Sequence, residues 1–128
     1  DVAAMKTEAK LDGDTYVING TKTLISNAGI ADQYTVIART GEAPGAGGLS
    51  AFVVEAENPG LEITERFRVV APHPLGTVSF TDCHVPLENV IAGPGNGFKV
   101  AMATLLLPVF RALMTLLPAP AEKGGMAV

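Results

Sequence analysis

Apolar and polar positions alternate in short runs over the first two-thirds of the chain. Leu61-Glu62-Ile63-Thr64-Glu65 is the cleanest, with apolar side chains toward one face and polar ones toward the other. Similar runs, rich in β-branched and aromatic residues, occupy 4–11, 15–19, 21–26, 34–39, 49–55, 61–66 and 77–81. Turn signals separate them: Asp12-Gly13, Asn19-Gly20, the glycine-rich 41–48, Asn58-Pro59-Gly60 and the stretch 72–76. Asp12-Gly13 and Asn19-Gly20 supply the positive φ of tight turns, so they predict consecutive β-hairpins around the run 15–19. Short strands so punctuated, without intervening helices, predict an all-β fold over residues 3–87: an antiparallel β barrel or two-sheet sandwich of about six to eight strands.

The period changes at Gly97. Phe98, Ala101, Met102 and Leu105 fall at i, i+3, i+4 and i+7, the stripe of an amphipathic helix. Asn96 is the predicted N-cap. Pro108 is expected to end this short C-terminal helix after about three turns, because it removes a backbone donor and clashes with the preceding turn. Beyond it, Pro118-Ala119-Pro120 and Gly124-Gly125 read as a loose tail. The window 100–117 is apolar enough to suggest a membrane span, but Arg111 and Pro108 interrupt it, and a central arginine costs at least ~2.5 kcal/mol in a bilayer. An amphipathic helix that has lost its packing partner is the better reading.

Composition narrows the class. The chain has 128 residues, 48% hydrophobic and 17% charged, with a net charge of -4, which suits one folded domain. No cluster of Lys and Arg marks a nucleic-acid footprint. The single cysteine, Cys83, cannot form an internal disulfide, so a reducing, cytoplasmic compartment is expected. No basic-then-apolar leader opens the sequence, and no signal peptide is expected.

Few residues offer chemistry by spacing alone. Gly93-x-Gly95-x-Gly97 before a helix is a possible phosphate loop, but it lacks the Lys-Ser/Thr of a P-loop and reads better as a turn. His73 and His84 are the two histidines, and neither has a metal-ligand partner. Cys83 and His84 are adjacent, so in an extended segment they face opposite ways and cannot ligate together. His73, between Pro72 and Pro74, reads as part of a rigid loop. Asp12, Asp14, Glu55, Glu57, Glu62 and Glu65 read as turn and surface charges, and no metal site is expected.

Several segments, taken in order, resemble the middle β domain of acyl-CoA dehydrogenases. They are Gly20-x-Lys22-x-Leu24-Ile25-Ser26-Asn27, Ala51-Phe52-Val53-Val54-Glu55-x-x-x-Pro59-Gly60 and Phe80-x-Asp82-Cys83-x-Val85-Pro86. Asn89-Val90-Ile91-x-Gly93-x-Gly95-x-Gly97-Phe98-Lys99 matches the approach to that family's next helix, and Asp1-Val2-Ala3-Ala4-Met5 the segment after its Gly-Ser-Asp loop. The resemblance implies a middle β domain over 1–95 and the start of a C-terminal helical segment with an atypical tail over 96–128. It implies an FAD-dependent enzyme that converts an acyl-CoA thioester to a 2-enoyl-CoA and passes electrons to an electron-transfer flavoprotein. It also implies a homo-oligomer in the full-length form. The β domain supplies one wall of the flavin site through a Lys-x-Trp-Ile-Thr-Asn segment, which carries over here to Lys22, Leu24, Ile25, Ser26 and Asn27, with Leu24, Ile25 and Ser26 as the cofactor-binding residues.

Two departures matter. Leu24 replaces the usual Trp, so an aliphatic contact replaces ring stacking, while Ser26 replaces Thr and keeps the hydroxyl. After Leu105, Leu106-Leu107-Pro108 intervene before Arg111 and the tail stops resembling the family. No Glu occurs between Asn96 and Glu122, so no catalytic base is assigned. The alternative readings are a stand-alone β-barrel binding module and a truncated, non-functional fragment.

Overall fold

The computed structural model describes residues 4–70 and 73–116. Among them the strands are β1 (Glu8–Asp12), β2 (Thr15–Ser26), β3 (Gln33–Arg39), β4 (Leu49–Glu55), β5 (Leu61–Phe67), β6 (Leu75–Pro86) and β7 (Val90–Ile91). They form one seven-stranded sheet in the order β5-β6-β2-β1-β3-β4-β7. Pairing is antiparallel except between β1 and β3, which meet in parallel only at Glu8 and Arg39. The sheet does not close into a ring. It curls instead, so that the Tyr16 ring on β2 meets the Phe52 ring on β4 edge-on at 5.1 Å, with β1 and β3 lying between them in the sheet. The sandwich-like core holds Ile18, Val36, Phe52, Val54, Val78, Cys83 and Val85, all essentially removed from water.

The Asp12-Gly13 hairpin forms as predicted. Asp12 pairs with Thr15, Gly13 has φ 62°, and the Thr15 hydroxyl donates to the Asp12 carbonyl at 3.1 Å. The second predicted hairpin does not form. Asn19-Gly20 lies inside β2, and the runs 15–19 and 21–26 are one strand. Asn19 stays paired to Glu8 of β1, and its carboxamide binds Asp82 of β6, accepting from the Asp82 amide at 2.9 Å and donating to its carboxylate at 3.3 Å. Gly20 is required here for a different reason: a Cβ on it would lie 2.8 Å from the Thr7 backbone, which crosses directly above. Asn19 is paired to β1 on one side and Gly20 to Phe80 of β6 on the other, across a register shift between Ile18 and Gly20, and this pairing outweighs a local turn preference.

Helix α1 (Gly97–Leu116) follows β7. It does not stop at Pro108 as the sequence predicted but continues to Leu116. A proline inside a helix costs about 3 kcal/mol and one hydrogen bond, yet the Leu, Ala and Met that flank it are strong helix formers and carry the helix past it. Asn96 begins the helix through its carbonyl, which accepts from the Val100 amide at 3.2 Å. Its carboxamide nitrogen turns back to the Ala92 and Pro94 carbonyls and braces the preceding loop. In that loop the Gly95 amide donates to the buried Ser50 hydroxyl at 2.9 Å, so the glycines build a turn. Phe98, Ala101 and Met102 are half-buried against the sheet, whereas Leu105, Leu106 and Leu107 are 60–65% exposed. Among the described residues no helix is long and apolar enough to cross a membrane. The readings placed on residues 1–3, Pro72, Pro118–Pro120, Glu122 and Gly124-Gly125 lie outside the described residues.

Candidate functional site

The distal end of β2 breaks the rules that its first half obeys. Lys22 pairs with Val78 and Ile25 with Gly76, so Thr23 and Leu24 together oppose the single residue Thr77. This is a β-bulge, a device that re-aims side chains. Leu24 sits in it with φ 58°, a left-handed conformation that costs a leucine roughly 1–2 kcal/mol. Its side chain is 62% exposed, so burial does not offset that cost. A hydroxyl relay secures the bulge: Thr23 Oγ1 lies 3.0 Å from Thr77 Oγ1, which donates to Glu65 Oε2 at 3.4 Å.

Asn27, at φ 61°, then turns the chain out of the strand. Its amide donates to the Pro74 carbonyl at 2.9 Å, and its carbonyl accepts from Ile30 and Ala31. The Gly29 amide donates to the Tyr34 hydroxyl at 2.9 Å, anchoring the corner to β3. The corner is therefore a braced structure.

Of the residues predicted to touch a cofactor, Leu24 and Ser26 face solvent together and Ile25 turns the other way to pack on the core. Lys22 is half-buried, its Nζ 3.7 Å from Met5 Sδ, and desolvation holds its pKa below the ordinary value. It opens onto a cavity of about 300 Å³ between the sheet and α1, lined by Met5, Thr35, Ile37, Ala101, Thr104 and Leu105. The strand end thus exposes an apolar side chain and a hydroxyl two residues apart.

One neighbour of this site was not expected. His73 Nε2 lies 3.0 Å from Ser26 Oγ. The two residues are 47 positions apart, and no periodicity links a loop histidine to a strand end at that distance. The other candidates stay apart from the site except Glu65, which accepts from Thr77 beside the bulge. Cys83 is fully buried and His84 exposed, on opposite faces as expected, and burial pushes the Cys83 thiol up to about 11. Asp12, Asp14, Glu55, Glu57, Glu62 and Glu65 are all exposed.

Comparison with known proteins adds family context. The profile of the family described as "Acyl-CoA dehydrogenase, middle domain" matches residues 1–83. The chain is 41% identical over 107 residues to the Mycobacterium tuberculosis protein named "Probable acyl-CoA dehydrogenase FadE25", covering 82% of this chain and 28% of that protein. It is 37% identical over 107 residues to the mitochondrial isobutyryl-CoA dehydrogenase of Dictyostelium discoideum, covering 82% of this chain and 26% of that one. Among solved structures, butyryl-CoA dehydrogenase from Megasphaera elsdenii superimposes with a TM-score of 0.77 at 36% identity, covering 80% of this chain and 28% of its own. The chain therefore spans little more than a quarter of the length of the relatives it matches.

Proposed function

This chain belongs to the acyl-CoA dehydrogenase family, and from that premise we propose that it is the middle-domain segment of an FAD-dependent acyl-CoA dehydrogenase. The reaction is the α,β-dehydrogenation of an acyl-CoA thioester to a 2-enoyl-CoA, with an electron-transfer flavoprotein as acceptor and a homo-oligomer as the working assembly. The proposed division is a middle β domain over 1–95 and the start of a C-terminal helical segment with an atypical tail over 96–128. The lone buried Cys83 suits a cytoplasmic setting.

The observation that carries this reading is the end of β2, where a strained, exposed Leu24 and an exposed Ser26 hydroxyl lie two residues apart. Exposed apolar side chains held at a backbone cost belong to binding surfaces more often than to packing. When bound, the flavin supplies the oxidant for the reaction. Leu24 offers an apolar surface beside its ring, Ser26 a hydrogen bond to its edge, and Ile25 holds the strand end in place by packing inward. No catalytic base is assigned to this chain.

Titration of the full chain with FAD, followed by flavin fluorescence, tests the proposal. Quenching is expected at micromolar flavin. Ser26→Ala should weaken it several-fold to about tenfold, the value of one neutral hydrogen bond of ~0.5–1.5 kcal/mol, with the urea midpoint unchanged. Leu24→Trp should hold or tighten binding. Absence of quenching at high micromolar FAD, or an unaltered affinity in Ser26→Ala, counts against the site.

A further inference from the structure

Ser26 has one proton to give, and His73 is placed to decide where it goes. The serine oxygen and the imidazole Nε2 are 3.0 Å apart, and neither makes another side-chain hydrogen bond among the described residues. The pair is brought together by backbone rather than by chance contact. Ser26 pairs with Leu75 and Ile25 with Gly76 in the β2–β6 ladder, and the next amide along, that of Asn27, donates to the Pro74 carbonyl at 2.9 Å. Three consecutive attachments hold the segment that carries His73 against the segment that carries Ser26. Pro74, directly after His73, restricts the histidine backbone to extended conformations.

A neutral imidazole carries its proton on one nitrogen or the other. With the proton on Nε2, His73 donates to Ser26 Oγ, and the serine proton is free to point outward. With the proton on Nδ1, His73 Nε2 accepts the serine proton, and only lone pairs of Ser26 face outward. The same two side chains can thus meet an acceptor or a donor without moving a heavy atom. Resting on the flavin-site reading given above, we infer that His73 is a positioning residue of that site: its tautomer sets whether Ser26 presents a proton or a lone pair to the flavin edge. Oxidised flavin, with acceptors along that edge, selects the Nε2–H form.

A double-mutant cycle on FAD affinity in the full chain tests this, using fluorescence titrations of the wild type, His73→Ala, Ser26→Ala and the double variant. His73→Ala should weaken FAD about three- to tenfold where Ser26 is present, and by less than about twofold where it is absent, since the two residues act as one unit. His73→Gln, whose carboxamide can donate or accept near the same place, should return the affinity to within about twofold of wild type. The ¹⁵N shifts of the His73 ring should move toward the Nε2–H tautomer when FAD is added, and should not do so in Ser26→Ala. Equal losses in both serine backgrounds, or a Gln variant as weak as the Ala variant, would overturn the role of His73 while leaving the flavin site standing. A wild-type chain that binds no FAD overturns the flavin-site reading itself, and this inference with it. Urea midpoints of all variants should match, because both side chains are exposed.

Discussion

The two halves of β2 belong to one strand yet follow different rules. From Thr15 to Asn19 it is flanked by β1 on one side and β6 on the other, and Tyr16 and Ile18 alternate into the core. Past Gly20, β1 no longer pairs with it and β6 is its one described strand partner. There the alternation fails, a second register shift falls between Lys22 and Ile25 after the one between Ile18 and Gly20, and positive φ appears at Leu24 and, just past the strand, at Asn27. Where neighbours pair on both sides, packing dictates each residue. Where one side is left open, the backbone departs from the ladder at a cost of the order of 1–3 kcal/mol per strained residue, and the side chains so displayed are the ones available for binding.

That contrast predicts very different responses to truncation. Ile18 is fully buried between β1 and β6, so Ile18→Ala should cost roughly 2–5 kcal/mol, read as a lowered urea midpoint. A loss below about 1 kcal/mol would show that the first half of β2 is not the packed region described here.

A second difference lies in titration. Cys83 faces Ile18 across the β2–β6 ladder, and burial raises its thiol from the ordinary 9.0 to about 11. The folded state thus keeps a proton that the unfolded chain releases. The resulting stability is fully present below pH 9 and is lost as pH rises toward 11, by at most about 3 kcal/mol at 1.36 kcal/mol per unit. Lys22, in the irregular half, has the opposite sign. Its pKa is depressed by burial, so its charge opposes folding at neutral pH, and that penalty eases as pH rises toward the ordinary 10.5. Urea melts below pH 9 and near pH 11 should show a net loss that shrinks in Cys83→Ala and grows in Lys22→Met. A Cys83→Ala chain with the same alkaline loss as wild type would place the titration elsewhere.

The regular half was the legible half. Alternation revealed the strands, and Asp12-Gly13 marked a real hairpin, because in both cases the local pattern and the tertiary pairing agree. Asn19-Gly20 misled because the same dipeptide that suits a turn also suits close crossing by Thr7, and only the neighbouring strands choose between them. Pro108 misled because a local penalty does not by itself end a helix whose flanks favour it. At the candidate site, Leu24 and Ser26 were singled out through family likeness. The left-handed φ of Leu24 and the contact of Ser26 with His73 were not legible, since leucine has no preference for that conformation and the contact joins distant segments.

The smallest expected effect is the sharpest test of the comparison. If the bulge at Leu24 stores strain, then replacing Leu24 by a residue that tolerates positive φ should stabilise the fold. Asn is the right choice, because it enters the left-handed region readily without the added unfolded-state entropy of glycine. Leu24 is 62% exposed, so the apolar contact given up is small and the relieved strain should exceed it. Leu24→Asn should therefore raise stability by about 0.5–1 kcal/mol. In the same variant FAD binding should weaken, because the apolar surface offered to the ring is gone. The two readouts move in opposite directions, which is the signature of a residue kept for binding at the expense of folding. A Leu24→Asn chain that is destabilised by more than about 1 kcal/mol would mean that Leu24 is a packing residue after all, and the two halves of β2 would differ less than their geometry suggests.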